Sequence, residues 1–278
     1  MMDRRTWLLG SGALLAGWAA WSGPAKAAAF ASRRIAVTVR GSGRDVLLIP
    51  GLASGPDIWN GLVSAVPGFR WHLIHVRGFA GLAADANASG PLLQPLADEI
   101  ARYVRTCGLV RPAVVGHSMG GTLAMMQGLK GISGRIMVVD MLPAGAAMVG
   151  GTAGGVGYLA DQLGQYFTGT KAGRAYLAQI VAQAPGAKGS DPDVIANALR
   201  DLANVDLGPQ LPRLAKPLEV VYAVGSDGEQ AREISARFRA AYALKKDARL
   251  VPIGPSGHLV MADQPARFQT TLRNFLTR

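Results

Sequence analysis

Ala113-Val114-Val115-Gly116-His117-Ser118-Met119-Gly120 is the stretch that decides how this chain is read. Three apolar residues predict a buried strand. Glycines two positions either side of Ser118 let the backbone pass from strand to helix within a few residues. A serine at such a corner is held in a strained conformation with its hydroxyl exposed. The pattern points to a hydrolase working through an acyl-serine intermediate, provided the chain also supplies a base, an acid and an oxyanion site.

Strand and helix patterns alternate outward from this point. Apolar runs at 35–39, 46–49, 71–76, 136–139, 218–224 and 250–253 predict further strands. Helices are expected near 58–66, 91–107, 119–128, 229–242 and 265–276; in the second, Leu93, Leu96, Ile100, Tyr103 and Val104 recur at spacings of three and four. Apolar strands alternating with amphipathic helices predict an α/β fold, a mainly parallel sheet flanked by helices. The rhythm breaks over 143–212, about seventy residues with no strand pattern, a Gly/Ala-rich entrance and helical candidates at 157–167, 171–184 and 192–203. That segment is expected to be an inserted helical cap, and 30–142 with 213–278 the core.

The 278 residues, 49% apolar, suffice for a sizeable core. A net charge of +11 is spread through the helices, with no basic stripe carrying interleaved aromatics, so nucleic acid is not the expected partner. Cys107 is the single cysteine, which excludes an internal disulfide; at the end of a helical pattern it is expected to be a buried, inert thiol. At the other end, Arg4-Arg5, a small apolar stretch and Ala25-Lys26-Ala27 have the layout of an export signal over 1–29, resembling the twin-arginine kind. Export to the periplasm or medium is expected, with no stable membrane insertion once the signal is removed.

A serine hydroxyl needs a base. Of the four histidines, His117 adjoins the serine and is expected to pack or hydrogen-bond inward. His72 and His75 lie three apart in a strand, so they face opposite ways and make no metal pair. His258 follows the last strand, at the rim where an open parallel sheet places its site. For the acid, Asp227 after the penultimate strand is preferred and Asp140 after the strand at 136–139 is the alternative. The backbone N–H of Met119 at a helix start, and that of Leu52 in the turn Pro50-Gly51-Leu52, are the candidate oxyanion donors.

With these residues in order, the chain resembles the α/β-hydrolase superfamily, in particular its capped serine esterases. The resemblance runs from Val46-Leu47-Leu48-Ile49-Pro50-Gly51 to Gly257-His258 and the last helix. It implies Ser118 as nucleophile, His258 as base, Asp227 as acid and the amides of Leu52 and Met119 as oxyanion hole. Many members carry His-Gly where this chain has Pro50-Gly51. Gly225 and Asp227 are two apart where a three-residue spacing is common, which keeps Asp140 open. Ser118 excludes the dehalogenase and epoxide-hydrolase relatives, whose nucleophile is an aspartate. The expected reaction is cleavage of a small to medium, largely apolar carboxylic ester. Lactonase, proline-releasing peptidase and carbon–carbon hydrolase are alternatives with the same triad, and a non-catalytic binding protein is the opposing class. No nucleotide loop or metal-ligand cluster is present, so no cofactor or metal is expected.

Overall fold

A computed structural model describes residues 30–145, 187–214 and 217–278, together with residue 172. The export-signal expectation for 1–29 and the helical candidates at 157–167 and 171–184 lie outside the described residues, residue 172 excepted.

Seven strands form one sheet: β1 (Ile35–Gly41), β2 (Arg44–Ile49), β3 (Phe69–Val76), β4 (Ala113–His117), β5 (Arg135–Val139), β6 (Leu218–Ala223) and β7 (Arg249–Ile253). Their spatial order is β1-β3-β2-β4-β5-β6-β7, with β1 antiparallel to β3 and every other pairing parallel. Among the described residues the α-helices are α1 (Asn60–Ala65), α2 (Leu93–Thr106), α3 (Met119–Leu129), α4 (Pro192–Asn204), α5 (Gly228–Ala241), α6 (Val260–Asp263) and α7 (Pro265–Thr277).

Side chains along the central strands alternate between two cores, as the pleat requires. Leu47 and Ile49 of β2, Val114 of β4, and Ile136 and Val138 of β5 face a core shared with α2, α3, α4 and α5. Val46, Leu48, Val115, Met137 and Val139 face the other, under α1, α6 and α7. With both faces covered, continuous apolar runs are required, and the same fact explains why the strands show no polar alternation. α3 is buried from Met119 to Gly128.

Some supports come from distant sequence. α2 opens on Leu92, which has no capping side chain; Asp201 of α4 reaches across and accepts from the N–H groups of Leu92 (2.6 Å) and Leu93 (2.9 Å). At the opposite end of the sheet, Arg44 donates to the Leu276 carbonyl (2.7 Å), and Arg135 to those of Phe275 and Arg278. These cations satisfy the last carbonyls of α7. Cys107 is half-buried just past α2 rather than buried as expected, because the helix ends one residue earlier. His72 is more deeply placed than its neighbour: it donates Nε2–H to Asp45 (2.8 Å) and accepts the Tyr103 hydroxyl at Nδ1 (2.6 Å). His75 bonds the Phe79 carbonyl instead (2.8 Å), from the opposite face of β3.

Within 143–212, the described residues hold α4, a 3-10 turn at Gly208–Arg213 and a single bridge between Ala144 and Asp206. The segment returning toward the core is stitched to the sheet's loops. Ser190 donates from Oγ to the Ala53 carbonyl (2.9 Å) and accepts from the Ala80 N–H (2.8 Å).

Candidate active site

Ser118 sits between β4 and α3 with φ 53° and ψ −123°, in a region that L residues rarely occupy. Three hydrogen bonds hold it there: its N–H donates to the Val139 carbonyl (2.9 Å), and its carbonyl accepts from Gly121 (2.7 Å) and Thr122 (3.3 Å). The flanking glycines are required sterically. A Cβ on Gly116 would overlap the Gly120 carbonyl, and a Cβ on Gly120 would overlap the Ile49 and Pro50 carbonyl oxygens. The serine corner therefore packs backbone to backbone on the turn after β2. A Cβ on Gly51 would lie 3.2 Å from Ser118 Cβ, so that turn runs directly beside the serine.

Two backbone donors occupy this contact. Met119 N–H opens α3, where the helix dipole is positive, and Leu52 N–H lies in the turn closed by Ser54 N–H to the Gly51 carbonyl (3.2 Å). Among the described residues neither N–H is engaged in a hydrogen bond. Backbone donors in folded proteins are ordinarily paired, so two unpaired N–H groups beside the half-buried Ser118 suit an oxygen that acquires charge.

His258 stands in the loop between β7 and α6, with its side chain 48% exposed. Its Nδ1–H donates to Asp140 Oδ2 at 2.6 Å. Asp140 is the residue after β5, with φ 51°. It is clamped to the neighbouring strand: its N–H donates to the Val221 carbonyl (2.7 Å) and its Oδ1 accepts from Ala223 N–H (3.0 Å). Asp227, the preferred acid from sequence, does not meet His258. Its Oδ1 accepts from the N–H groups of Glu229 and Gln230, both at 2.8 Å, and caps α5. An exposed carboxylate held by two N–H groups of its own helix is committed locally. The spacing Asp227-Gly228-Glu229-Gln230, a capping residue three before a glutamine, is the sequence signal for that role.

The loop bearing His258 is tied down on several sides. Ser256 N–H donates to Val224 carbonyl (3.0 Å), and Gly257 N–H to Asp263 Oδ2 (2.8 Å). The buried ring of His117 donates from Nε2 to the His258 carbonyl (2.8 Å). Burial, with His258 beside it, lowers the His117 pKa from its ordinary 6.5 to about 4. His258 Nε2 and Ser118 Oγ make no hydrogen bond among the described residues. Such bonds commonly tighten only when substrate is bound. Ser118 and His258 thus share one rim, joined through His117, with Asp140 behind the histidine. No group of three or more His, Cys, Asp or Glu side chains among the described residues is arranged to hold a metal ion.

The model of the alpha/beta hydrolase family matches residues 46–269, and the chain belongs to that family. It is 27% identical over 251 residues to N-formylmaleamate deformylase of Pseudomonas putida, covering 85% of this chain and 90% of that protein. The 30 kDa subunit of magnesium chelatase from Rhodobacter capsulatus is 25% identical over 169 residues; the match takes in 50% of this chain and spans about half (54%) of that protein's length. Among solved structures, an esterase from Exiguobacterium antarcticum superposes with a TM-score of 0.68 at 19% identity, covering 88% of this chain and 96% of the esterase. At that identity the likeness is one of fold.

Proposed function

We propose that the protein is a serine hydrolase that cleaves a carboxylic ester of a small to medium, largely apolar acyl group. The observation that carries this reading is the strained Ser118 corner sharing a rim with the His258–Asp140 pair. His258 Nε2 takes the Ser118 proton as Oγ bonds the substrate carbonyl carbon. The N–H groups of Leu52 and Met119 receive the oxyanion. Collapse breaks the carbon–oxygen bond, and His258 returns its proton to the leaving alkoxide. Water, deprotonated by the same imidazole, then attacks the acyl carbon; the bond to Ser118 Oγ breaks, His258 returns the proton to Oγ, and the carboxylic acid is released.

The similarity to a deformylase over most of both chains favours a second reading, cleavage of the carbon–nitrogen bond of an N-formyl amide by the same residues. Covalent labelling by a fluorophosphonate, compared with Ser118→Ala, tests the serine chemistry. A folded wild-type protein that neither labels nor turns over any substrate would sink it. A panel of short acyl esters, formamides, lactones, proline peptides and β-diketones then separates the reactions; fastest release from formamides selects the second reading.

We also propose that residues 1–29 direct export and that the mature protein works on a soluble small molecule. No helix among the described residues is long and apolar enough to cross a membrane. N-terminal sequencing is the check: an intact Met1 on a cytoplasmic pool counts against export.

A further inference from the structure

The acyl-transfer steps leave His117 unused, yet its side chain is deeply held in the serine corner, 2% exposed. A carbonyl oxygen only accepts, so the 2.8 Å contact from Nε2 to the His258 carbonyl fixes the proton on Nε2 and the lone pair on Nδ1. That lone pair is buried and has no partner among the described residues. It faces Gly51, where an added Cβ would lie 2.9 Å away. The ring centroids of His117 and His258 are 4.6 Å apart, inclined at 51°. One imidazole therefore touches the oxyanion turn, adjoins the serine and holds the backbone of the histidine loop.

The other backbone ties of that loop run elsewhere: Ser256 N–H to Val224, Gly257 N–H to Asp263, and the Pro255 and Gly254 carbonyls to Gln264 and Arg267. None of these reaches the serine corner; the His258 ring itself is tied toward it only through Asp140. We propose that His117 is a positioning residue for acyl transfer, its Nε2–H donating to the His258 carbonyl so that the His258 imidazole is set over Ser118. The inference rests on the serine-hydrolase reading above. Neutrality suits the role. Burial keeps His117 uncharged near neutral pH, so an imidazolium forming on His258 at 4.6 Å meets no like charge.

The test pairs His117→Phe, which keeps a ring and removes the donor, with His117→Gln, whose amide carries N–H near the Nε2 position. The readouts are the second-order rate of Ser118 labelling by a fluorophosphonate, and kcat and KM on whichever short ester or formamide wild type cleaves. The Phe variant is expected to label and turn over about 10- to 100-fold more slowly, the scale of a 1 Å misplacement, with KM within about twofold. The Gln variant is expected to recover most of that loss. A folded Phe variant as fast as wild type, or a Gln variant as slow as the Phe variant, overturns the proposal. Imidazole nitrogen NMR on wild type needs no variant to fold: a His117 proton found on Nδ1 overturns it as well. Wild type that labels nowhere removes the serine reading and this proposal together; normal wild-type labelling with an unaffected Phe variant removes this proposal alone.

Discussion

Replacing Asp140 and Asp227 separately by asparagine separates the two carboxylates sharply. In Asp140→Asn the new amide retains one oxygen, and the Ala223 N–H that now binds Asp140 Oδ1 at 3.0 Å selects it. The amide nitrogen must then face His258 Nδ1, where Oδ2 now accepts at 2.6 Å. A donor facing Nδ1 forces the His258 proton onto Nε2, so the nitrogen meant to take the serine proton is already occupied. Loss of the correct tautomer lowers kcat by about 10⁴, equivalent to about 5 kcal/mol of transition-state stabilisation. At position 227 asparagine still caps a helix, so Asp227→Asn should keep activity within about twofold, and Asp227→Ala should lose about 1 kcal/mol of stability. In thermal unfolding that is a fall of about 2–4 °C. The assay is fluorophosphonate labelling of Ser118 alongside a melting curve for each variant. Asp140→Asn labelling within tenfold of wild type, or Asp227→Asn losing as much as Asp140→Asn, would refute the reasoning.

Gly120→Ala should destabilise by about 1–3 kcal/mol or more, since the new methyl overlaps two fixed carbonyl oxygens of the turn after β2; denaturant titration reads it, and an unchanged midpoint contradicts the packing. Ser190→Ala removes two hydrogen bonds and should cost about 1–3 kcal/mol. Because Ala53 adjoins Leu52, it should also slow Ser118 labelling, by less than the about 10²-fold of a lost oxyanion donor; equal labelling shows that the turn holds itself. Stability should fall as pH drops from about 6.5 to about 4, by about 3 kcal/mol from His117, because the unfolded imidazole binds a proton there that the folded one refuses. Burial pushes His72 the same way. Against burial that would raise it, Asp45 is held low by Arg70 and His72, so its contribution is present above 3.8 and lost below. Denaturant midpoints across that range that stay flat in wild type, or slope equally in His117→Gln, contradict the assignment.

The parts of the site legible in sequence are those set by local sterics. Gly116 and Gly120 announce the corner because no side chain fits where Gly120, Ile49 and Pro50 present backbone oxygen. The strands themselves were legible as apolar runs that both faces must bury, whereas their order in the sheet was not. Which carboxylate meets His258 was not legible, because β5 and β6 are parallel neighbours whose carboxyl ends reach one rim. Only register, Ile136 opposite Leu218 through Val139 opposite Val221, brings Asp140 beside Ala223 N–H. Nor could local pattern give the cap of α2 by Asp201, about a hundred residues away, or the bond from His117 to the His258 carbonyl. Asp227 misleads because it satisfies two descriptions at once, a carboxylate after a strand and a capping residue before Gln230.

The position of Asp140 just after β5 has a mechanical consequence. Asp140 is fixed through its own N–H and through Oδ1 to two points of β6, inside the rigid sheet, and only Oδ2 is left for His258. Ser118 is fixed in the same manner, by its N–H to Val139, one residue before Asp140. Ser118 and Asp140 therefore hang from adjacent residues of a single strand end, and their separation cannot change without breaking these backbone hydrogen bonds. His258 is the exception, carried on a loop, and it is the member to which an additional tie, from His117, is supplied. The turn after β2 is held differently: Ser190 joins Ala53 to the segment returning from 143–212. A change in that segment can thus reach the Leu52 turn while leaving the Ser118–Asp140 spacing untouched, so substitutions there should alter substrate preference more readily than the reaction itself.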